Sequence, residues 1–322
     1  MSALVTGGAG HIGAHLTNFL AQRGEAVIVL DLSVPPAVSD DQVRYIRGDL
    51  EDIELVSQVI TGMEVNTVYH LAGMNAQAAP LDIYRTNVLG TASVLQALEN
   101  SRVPNLKLLV MSSSAVYGNS ADDPIVEQSA LAPMTHYGIS KMSVEQMCRM
   151  AVKEAGLHVV IARPFNVIGP GQRSLLLHSA VASQLARIEY GLQPPKIALG
   201  RLDSFRDFID VRDVASGLFS IAECGNSGET YNLCSGIALE VHSMVEALVR
   251  LSGVHAEVCI DDARQSGLQV RSQRGSFDAL NRRAGWTPKV SLENSLADTL
   301  QFWRDEICAK FGKPAYRQSP AK

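Results

Sequence analysis

Apolar and polar positions alternate along the first half of the chain in two rhythms. Short runs rich in Val, Ile and Leu occur at Ala3–Thr6, Ala26–Leu30, Val43–Ile46, Thr67–Leu71, Lys107–Met111 and Val159–Ala162. Runs of that length and makeup predict strands buried on both faces. Between them lie stretches with helical spacing: His11–Gln22, Leu55–Thr61, Asp82–Asn100 and Ser140–Ala155. Strand and helix alternating through short links predict a parallel sheet covered on both sides. Right-handed crossovers make a doubly wound, Rossmann-type α/β sheet the expected topology. After Pro164 the rhythm changes. Gly169-Pro170-Gly171 and Gln193-Pro194-Pro195 interrupt it, strands become rarer, and two helical patterns stand out, Val241–Leu251 and Leu292–Arg304. The expected organisation is a first domain over residues 1–165, to which the chain returns at about 205–230, interleaved with a smaller mixed α/β domain over 166–322.

Composition narrows the class. Of 322 residues, 46% are hydrophobic and 19% charged, which suits a globular chain and excludes a disordered one. The net charge of −5, with no basic run, argues against nucleic-acid or anionic-membrane partners. No apolar stretch approaches the roughly 20 residues of a membrane span. No secretory signal is expected either, because Gly7–Gly13 interrupts the apolar start at once. Five scattered cysteines without a Cys-x-x-Cys pair suit a reducing compartment. A soluble cytoplasmic protein is the expectation.

The first chemical signal follows the first strand directly. Thr6-Gly7-Gly8-Ala9-Gly10-His11-Ile12-Gly13 opens the first helix, with glycines that permit a tight turn. Such a loop brings the backbone to a pyrophosphate at a helix N-terminus, where free N–H groups and the dipole favour anions. Asp31 ends the second strand 18 residues past Gly13, placed to accept hydrogen bonds from an adenosine ribose and to repel a 2′-phosphate. NAD is therefore favoured over NADP, and residues 1–165 are expected to form the dinucleotide-binding domain. The plain alternative is a glycine-rich turn that binds nothing, with Asp31 a solvated strand end. His11 and His15 are spaced i, i+4, but no third ligand has suitable spacing and no metal is expected.

The second signal is Tyr137-Gly138-Ile139-Ser140-Lys141, which puts a Tyr and a Lys on one helix face. A nearby ammonium stabilises phenolate and would pull the tyrosine pKa toward neutrality, giving an acid or base for a hydroxyl or carbonyl. Met111-Ser112-Ser113-Ser114-Ala115-Val116-Tyr117-Gly118 follows the fifth strand, at the sheet edge where ligands bind in such folds.

Together these motifs resemble the extended short-chain dehydrogenase/reductases, the nucleotide-sugar epimerase/dehydratase family. The likeness extends through Gly48-Asp49-Leu50, His70-Leu71-Ala72-Gly73, Asn87 with Gly90-Thr91, and Arg163-Pro164-Phe165-Asn166. The resemblance implies a catalytic triad of Ser113, Tyr137 and Lys141, with Lys141 also on the nicotinamide ribose. It implies a cofactor site of Gly7, Gly10, His11, Ile12, Gly13, Asp31, Asp49, Leu50, Leu71, Ala72 and Pro164. In the second half, Arg163–Gln172, Arg206–Val214 and Tyr231–Gly236 resemble one branch most, the reductases of GDP-4-keto-6-deoxy-mannose. That likeness implies substrate contacts from Ser114, Asn166 and Arg206. Arg206 could equally be a surface charge paired with Asp207 or Asp210. Where the branch has an Arg-Pro-x-acid segment the chain has Ser266-Gly267-Leu268-Gln269, for which Arg264 and Arg271 could substitute. Arg201 also stands where Asn or Asp is common, and the Met74–Thr86 loop is short.

The resemblance implies NAD(H)-dependent chemistry at C4 of a nucleotide-activated sugar, foremost reduction of a 4-keto-6-deoxy-hexose, GDP-linked in preference. The alternative is a 4-epimerase with tightly bound NAD; a non-enzymatic NAD sensor is the third reading. A 4,6-dehydratase is disfavoured because Ser114 and Ala115 stand where its acid and base would be. The resemblance also implies a homodimer paired through the helices at Asp82–Asn100 and Tyr137–Ala155, although Val88, Val94, Leu95, Leu98, Val144, Met147 and Ala151 could equally pack on their own sheet.

Overall fold

The computed structural model describes residues 2–34, 42–200, 202–260 and 270–312. In chain order the strands are β1 (Ser2–Thr6), β2 (Ala26–Asp31), β3 (Val43–Arg47), β4 (Thr67–His70), β5 (Lys107–Met111), β6 (His158–Pro164), β7 (Asn166–Ile168), β8 (Lys196–Leu199), β9 (Phe205–Asp210), β10 (Thr230–Leu233), β11 (Ala238–Glu240) and β12 (Glu257–Ile260). The helices are α1 (His11–Gln22), α2 (Ile53–Gly62), α3 (Pro80–Tyr84), α4 (Gly90–Ser101), α5 (His136–Ala155), α6 (Leu177–Glu189), α7 (Val211–Cys224), α8 (Val241–Ser252), α9 (Asp278–Ala284) and α10 (Leu292–Phe311).

The large sheet has the order β10-β6-β5-β4-β1-β2-β3, with every neighbouring pair parallel. The order reverses between β1 and β4, so their carboxyl ends border the crevice where such sheets take ligands. On one face Leu16 and Leu20 of α1 and Val214 and Leu218 of α7 pack on Val5, Val29 and Leu109. On the other, Val56, Ile60, Val94, Leu98, Val144 and Cys148 of α2, α4 and α5 cover Leu4, Ile28, Val68 and Leu108. Each buried Val or Leu stabilises the fold by roughly 1.5–3 kcal/mol relative to exposure. Val94, Leu95, Leu98, Val144 and Ala151 are thus buried against their own sheet, while Leu81, Leu89 and Met150 stay exposed.

Two helices differ from the pattern in ways that matter for the site. The expected Asp82–Asn100 helix runs as α3, a wider π turn over Arg85–Leu89, and α4. Helix α5 begins at His136, earlier than the expected Ser140, because Thr135 caps it by accepting the Gly138 N–H at 3.0 Å.

In the second half β9 lies between β7, to which it is parallel, and β11, to which it is antiparallel. Strands β8 and β12 pair separately, and α6, α8 and α10 bury Val181, Leu185, Leu248 and Leu300 beside them. The returning segment is therefore split: β9 stays in the small sheet, while α7 and β10 join the large one. Strands of three to six residues carry too little periodicity to show this in sequence. No helix among the described residues is long and apolar enough to cross a membrane.

Candidate active site

The glycine loop is built from main chain. Gly7 has φ +72°, and a Cβ there would lie 2.6 Å from the backbone of Ala72. A Cβ on Gly13 would lie 2.2 Å from the Gly7 carbonyl oxygen. Both positions require glycine. Gly10 is the N-cap of α1 and offers no side-chain acceptor, and the first turn carries no acidic residue. The first N–H groups and the dipole thus remain for an anion, so the residues present fit a dinucleotide pyrophosphate. Asp31 flanks the loop: its Oδ2 accepts the Ala9 N–H at 3.1 Å, and its Oδ1 accepts the Ser33 N–H at 3.0 Å. Ile12 packs on the core beneath. Asp49 and Leu50 follow β3, with Asp49 Oδ1 accepting the Glu51 N–H at 3.0 Å and Leu50 buried. Leu71 and Ala72 follow β4, and Pro164 ends β6.

The segment after β5 supplies Ser113, and α5 supplies Tyr137 and Lys141. Ser113 caps the short turn Ser114–Tyr117 by accepting the Ala115 N–H at 3.2 Å. Lys141 is buried, and its Nζ donates to the Met111 carbonyl at 2.9 Å, the strand end just before the serines. Burial pulls the Lys141 ammonium down to about 8. Burial also pushes the Tyr137 phenol above its ordinary range, partly offset by the neighbouring Ser113 hydroxyl. This corrects the expected depression of Tyr137. The lysine charge is directed at a carbonyl and lies 5.9 Å from the tyrosine ring centroid, so desolvation prevails.

Two networks hold these groups, and neither was assigned a role from sequence. In the first, Asn87 on the π turn accepts the Met74 N–H at 2.7 Å and donates to Met74 O at 3.1 Å and Ser140 Oγ at 2.9 Å. It ties the loop after β4 to the turn of α5 that separates Tyr137 from Lys141. Thr91 donates its proton to Asn87 O at 2.5 Å, so it accepts from His70 Nε2 at 3.0 Å, leaving His70 Nδ1 to accept from Thr6 at 2.8 Å. His70 is accordingly neutral, pushed down to about 3 by burial and by the Lys141 charge. In the second, Arg163 meets Glu145 bidentately at 2.8 and 2.6 Å, with both side chains buried. Glu145 also accepts from Ser112 Oγ at 2.6 Å, and Arg163 donates to Tyr117 at 2.7 Å. Glu145 stands four residues past Lys141, on the same face of α5.

Ser114 is buried, and Asn166 on β7 donates to Asp207 O at 3.0 Å. Arg206 on β9 is half-buried, which lowers its pKa, and it donates to Phe205 O at 2.8 Å. Among the described residues no carboxylate pairs with it. Asp207 is occupied by Ser235, Gly236 and Gly275, and Asp210 by Arg212. Arg271 is exposed, its N–H bound to Asn119 Oδ1 at 3.2 Å. Arg201, Arg264 and Ser266–Gln269 lie outside the described residues. No cluster of three or more metal-ligating side chains occurs among the described residues.

Comparison with known proteins follows the same lines. The profile of the NAD dependent epimerase/dehydratase family matches residues 3–234. The chain is 33% identical over 309 residues to GDP-6-deoxy-D-mannose reductase of Pseudomonas aeruginosa, covering 94% of this chain and 97% of that one. The solved structure of RMD from Pseudomonas aeruginosa complexed with NADPH superposes with a TM-score of 0.82 at 31% identity, covering 95% of this chain and 99% of the other. UDP-glucose 4-epimerase from Thermotoga maritima, solved with UDP-glucose, gives a TM-score of 0.86 at 26% identity, covering 95% and 100%.

Proposed function

The chain belongs to the NAD dependent epimerase/dehydratase family, and from that premise we propose that it performs NAD(H)-dependent oxidoreduction at C4 of a nucleotide-activated sugar. The foremost reading is reduction of a nucleotide-linked 4-keto-6-deoxy-hexose, with GDP the preferred base. The observation that carries it is Lys141, one turn past Tyr137 on α5, buried and anchored at 2.9 Å on the Met111 carbonyl just before Ser113, in a fold whose first helix opens from a glycine loop. A nicotinamide bound there supplies the hydride. Tyr137 gives a proton to the C4 oxygen, Ser113 orients that oxygen, and Lys141 holds the ribose side of the site from its anchor on Met111. The Arg206 guanidinium, which has no carboxylate partner among the described residues, suits the sugar diphosphate together with Asn166, since its planar fork binds phosphate oxygens bidentately.

The similarity to a reductase and to 4-epimerases keeps one alternative, the same residues acting reversibly on a retained dinucleotide. Incubating the protein with GDP-, UDP-, dTDP- and CDP-linked sugars while following NADH absorbance tests the proposal. Turnover of NADH identifies the reductase, isomerised sugar with cofactor retained through purification identifies the epimerase, and neither with any sugar overturns both. Asp31, braced by Ala9 and Ser33, supports NAD over NADP even though one solved relative holds NADPH. A higher kcat/KM with NADPH would contradict that choice. The exposed Leu81, Leu89 and Met150 beside α4 and α5 support a homodimer, to be checked by light scattering, and the cysteine pattern supports a cytoplasmic location.

A further inference from the structure

Of the two histidines of α1, His11 belongs to the expected cofactor loop and His15 has no assigned role; both reach the segment that follows β7. His11 Nε2 and His15 Nε2 each lie 3.0 Å from the carbonyl oxygen of Pro170. A carbonyl has two lone pairs and no proton, so both rings must carry hydrogen on Nε2 and donate to it. Their rings meet edge to face at 5.5 Å, one turn apart on the helix that opens from the glycine loop.

Pro170 belongs to the segment leaving β7, the strand that carries Asn166. That strand runs in register with β9, Asn166 opposite Phe208, so it lies beside Arg206. The far side of the same segment is also fixed. Ser179 on α6 donates to Gln172 O at 2.6 Å, and Trp303 of α10 donates to Ser179 at 2.9 Å. Gly171, at φ +84°, lets the chain turn between the two anchorages. One carbonyl thus joins the start of α1 to the strand pair bearing Asn166 and Arg206.

We propose that His15 is a positioning residue which, with His11, couples dinucleotide occupancy of the glycine loop to nucleotide binding by the Asn166–Arg206 wall. The proposal rests on the dinucleotide and nucleotide-sugar reading above. An anion docking on the first N–H groups of α1 fixes that helix end, the clasp fixes Pro170, and Pro170 fixes the register of β7. Linkage makes the effect reciprocal: whatever NADH adds to nucleotide affinity, the nucleotide adds to NADH affinity.

Calorimetric titration of UDP and of GDP, each with and without saturating NADH, measures the coupling directly. In the wild type NADH should tighten one of the two by about tenfold, within the usual range for coupled sites. His15→Leu should bring that ratio to within about twofold, with NADH affinity alone changed by less than about threefold. His15→Gln, whose amide nitrogen can donate at similar reach, should restore it, a rescue that general loss of packing would not give. Equal coupling in wild type and His15→Leu, or none in the wild type with either nucleotide, overturns the proposal. Failure of NADH to bind the wild type would instead overturn the functional reading beneath it.

Discussion

The two walls of the crevice are made differently. On the dinucleotide side the main chain does the holding: Gly7 and Gly13 leave no room for a Cβ, the uncapped start of α1 offers its N–H groups, and Lys141 is anchored on a strand carbonyl. On the proposed sugar side the candidate contacts are side chains, Asn166, Arg206 and Arg271, carried by short strands and connecting segments. A wall of backbone is fixed by the fold and serves one ligand class. A wall of side chains can be revised one residue at a time, so one fold can host different substrates.

The largest break should come where the walls meet, at the reacting oxygen. Tyr137→Phe should leave NADH binding intact and lower kcat by about three to four powers of ten, because its hydroxyl is the proposed acid of the reaction. Single-turnover rates on a verified substrate, with NADH affinity measured in parallel, provide the check. Turnover near wild type would remove Tyr137 from the chemistry.

Gly13→Ala attacks the backbone wall alone. Its Cβ would stand 2.2 Å from Gly7 O, so the loop must open and the pyrophosphate cradle is lost. NADH affinity should fall at least about a hundredfold, with a lower melting temperature, since main-chain strain cannot relax through a rotamer. Arg206→Ala attacks the other wall. KM for the nucleotide sugar should rise about ten- to a hundredfold with kcat nearly unchanged, the mark of lost ground-state binding. Arg206→Lys should recover only part, because a point charge replaces a bidentate fork. If Arg206→Ala changed NADH affinity instead, the division between the walls would be misdrawn.

The same division governs what was legible in sequence. The glycine loop, the Asp31 strand end and the Tyr137–Lys141 spacing are local patterns, and local patterns survive in a bare string of residues. The six first-half strands lie within two residues of their expected ends for the same reason. What escaped needs three dimensions. Asn87 gained its role only when a π turn aimed it at Met74 and Ser140, and nothing in Arg85–Leu89 announces that turn. Glu145 and Arg163 are 18 residues apart and meet because α5 folds back across β6. Whether Arg206 was free or paired depended on where Asp207 and Asp210 found other partners, which no spacing rule states.

The smallest effect is a difference in pH response between the walls. Burial holds the Lys141 ammonium down to about 8, so raising pH through that value removes its proton. The cation that steadies the dinucleotide side is then lost, and kcat/KM should decline above pH 8 by up to about tenfold per unit. Tyr137 does not set this limb, since its phenol is pushed upward and stays protonated there. His70 does not set it either, being neutral at every pH above about 3. Arg206 keeps its charge across the whole range, so nucleotide affinity measured with UDP or GDP alone should be flat from pH 7 to pH 9. Lys141→Arg separates the cases: it should be slower at every pH, but its guanidinium does not titrate, so the alkaline fall should vanish. A limb that stayed near pH 8 in that variant would assign the titration to another group and leave Lys141 a purely steric anchor on Met111.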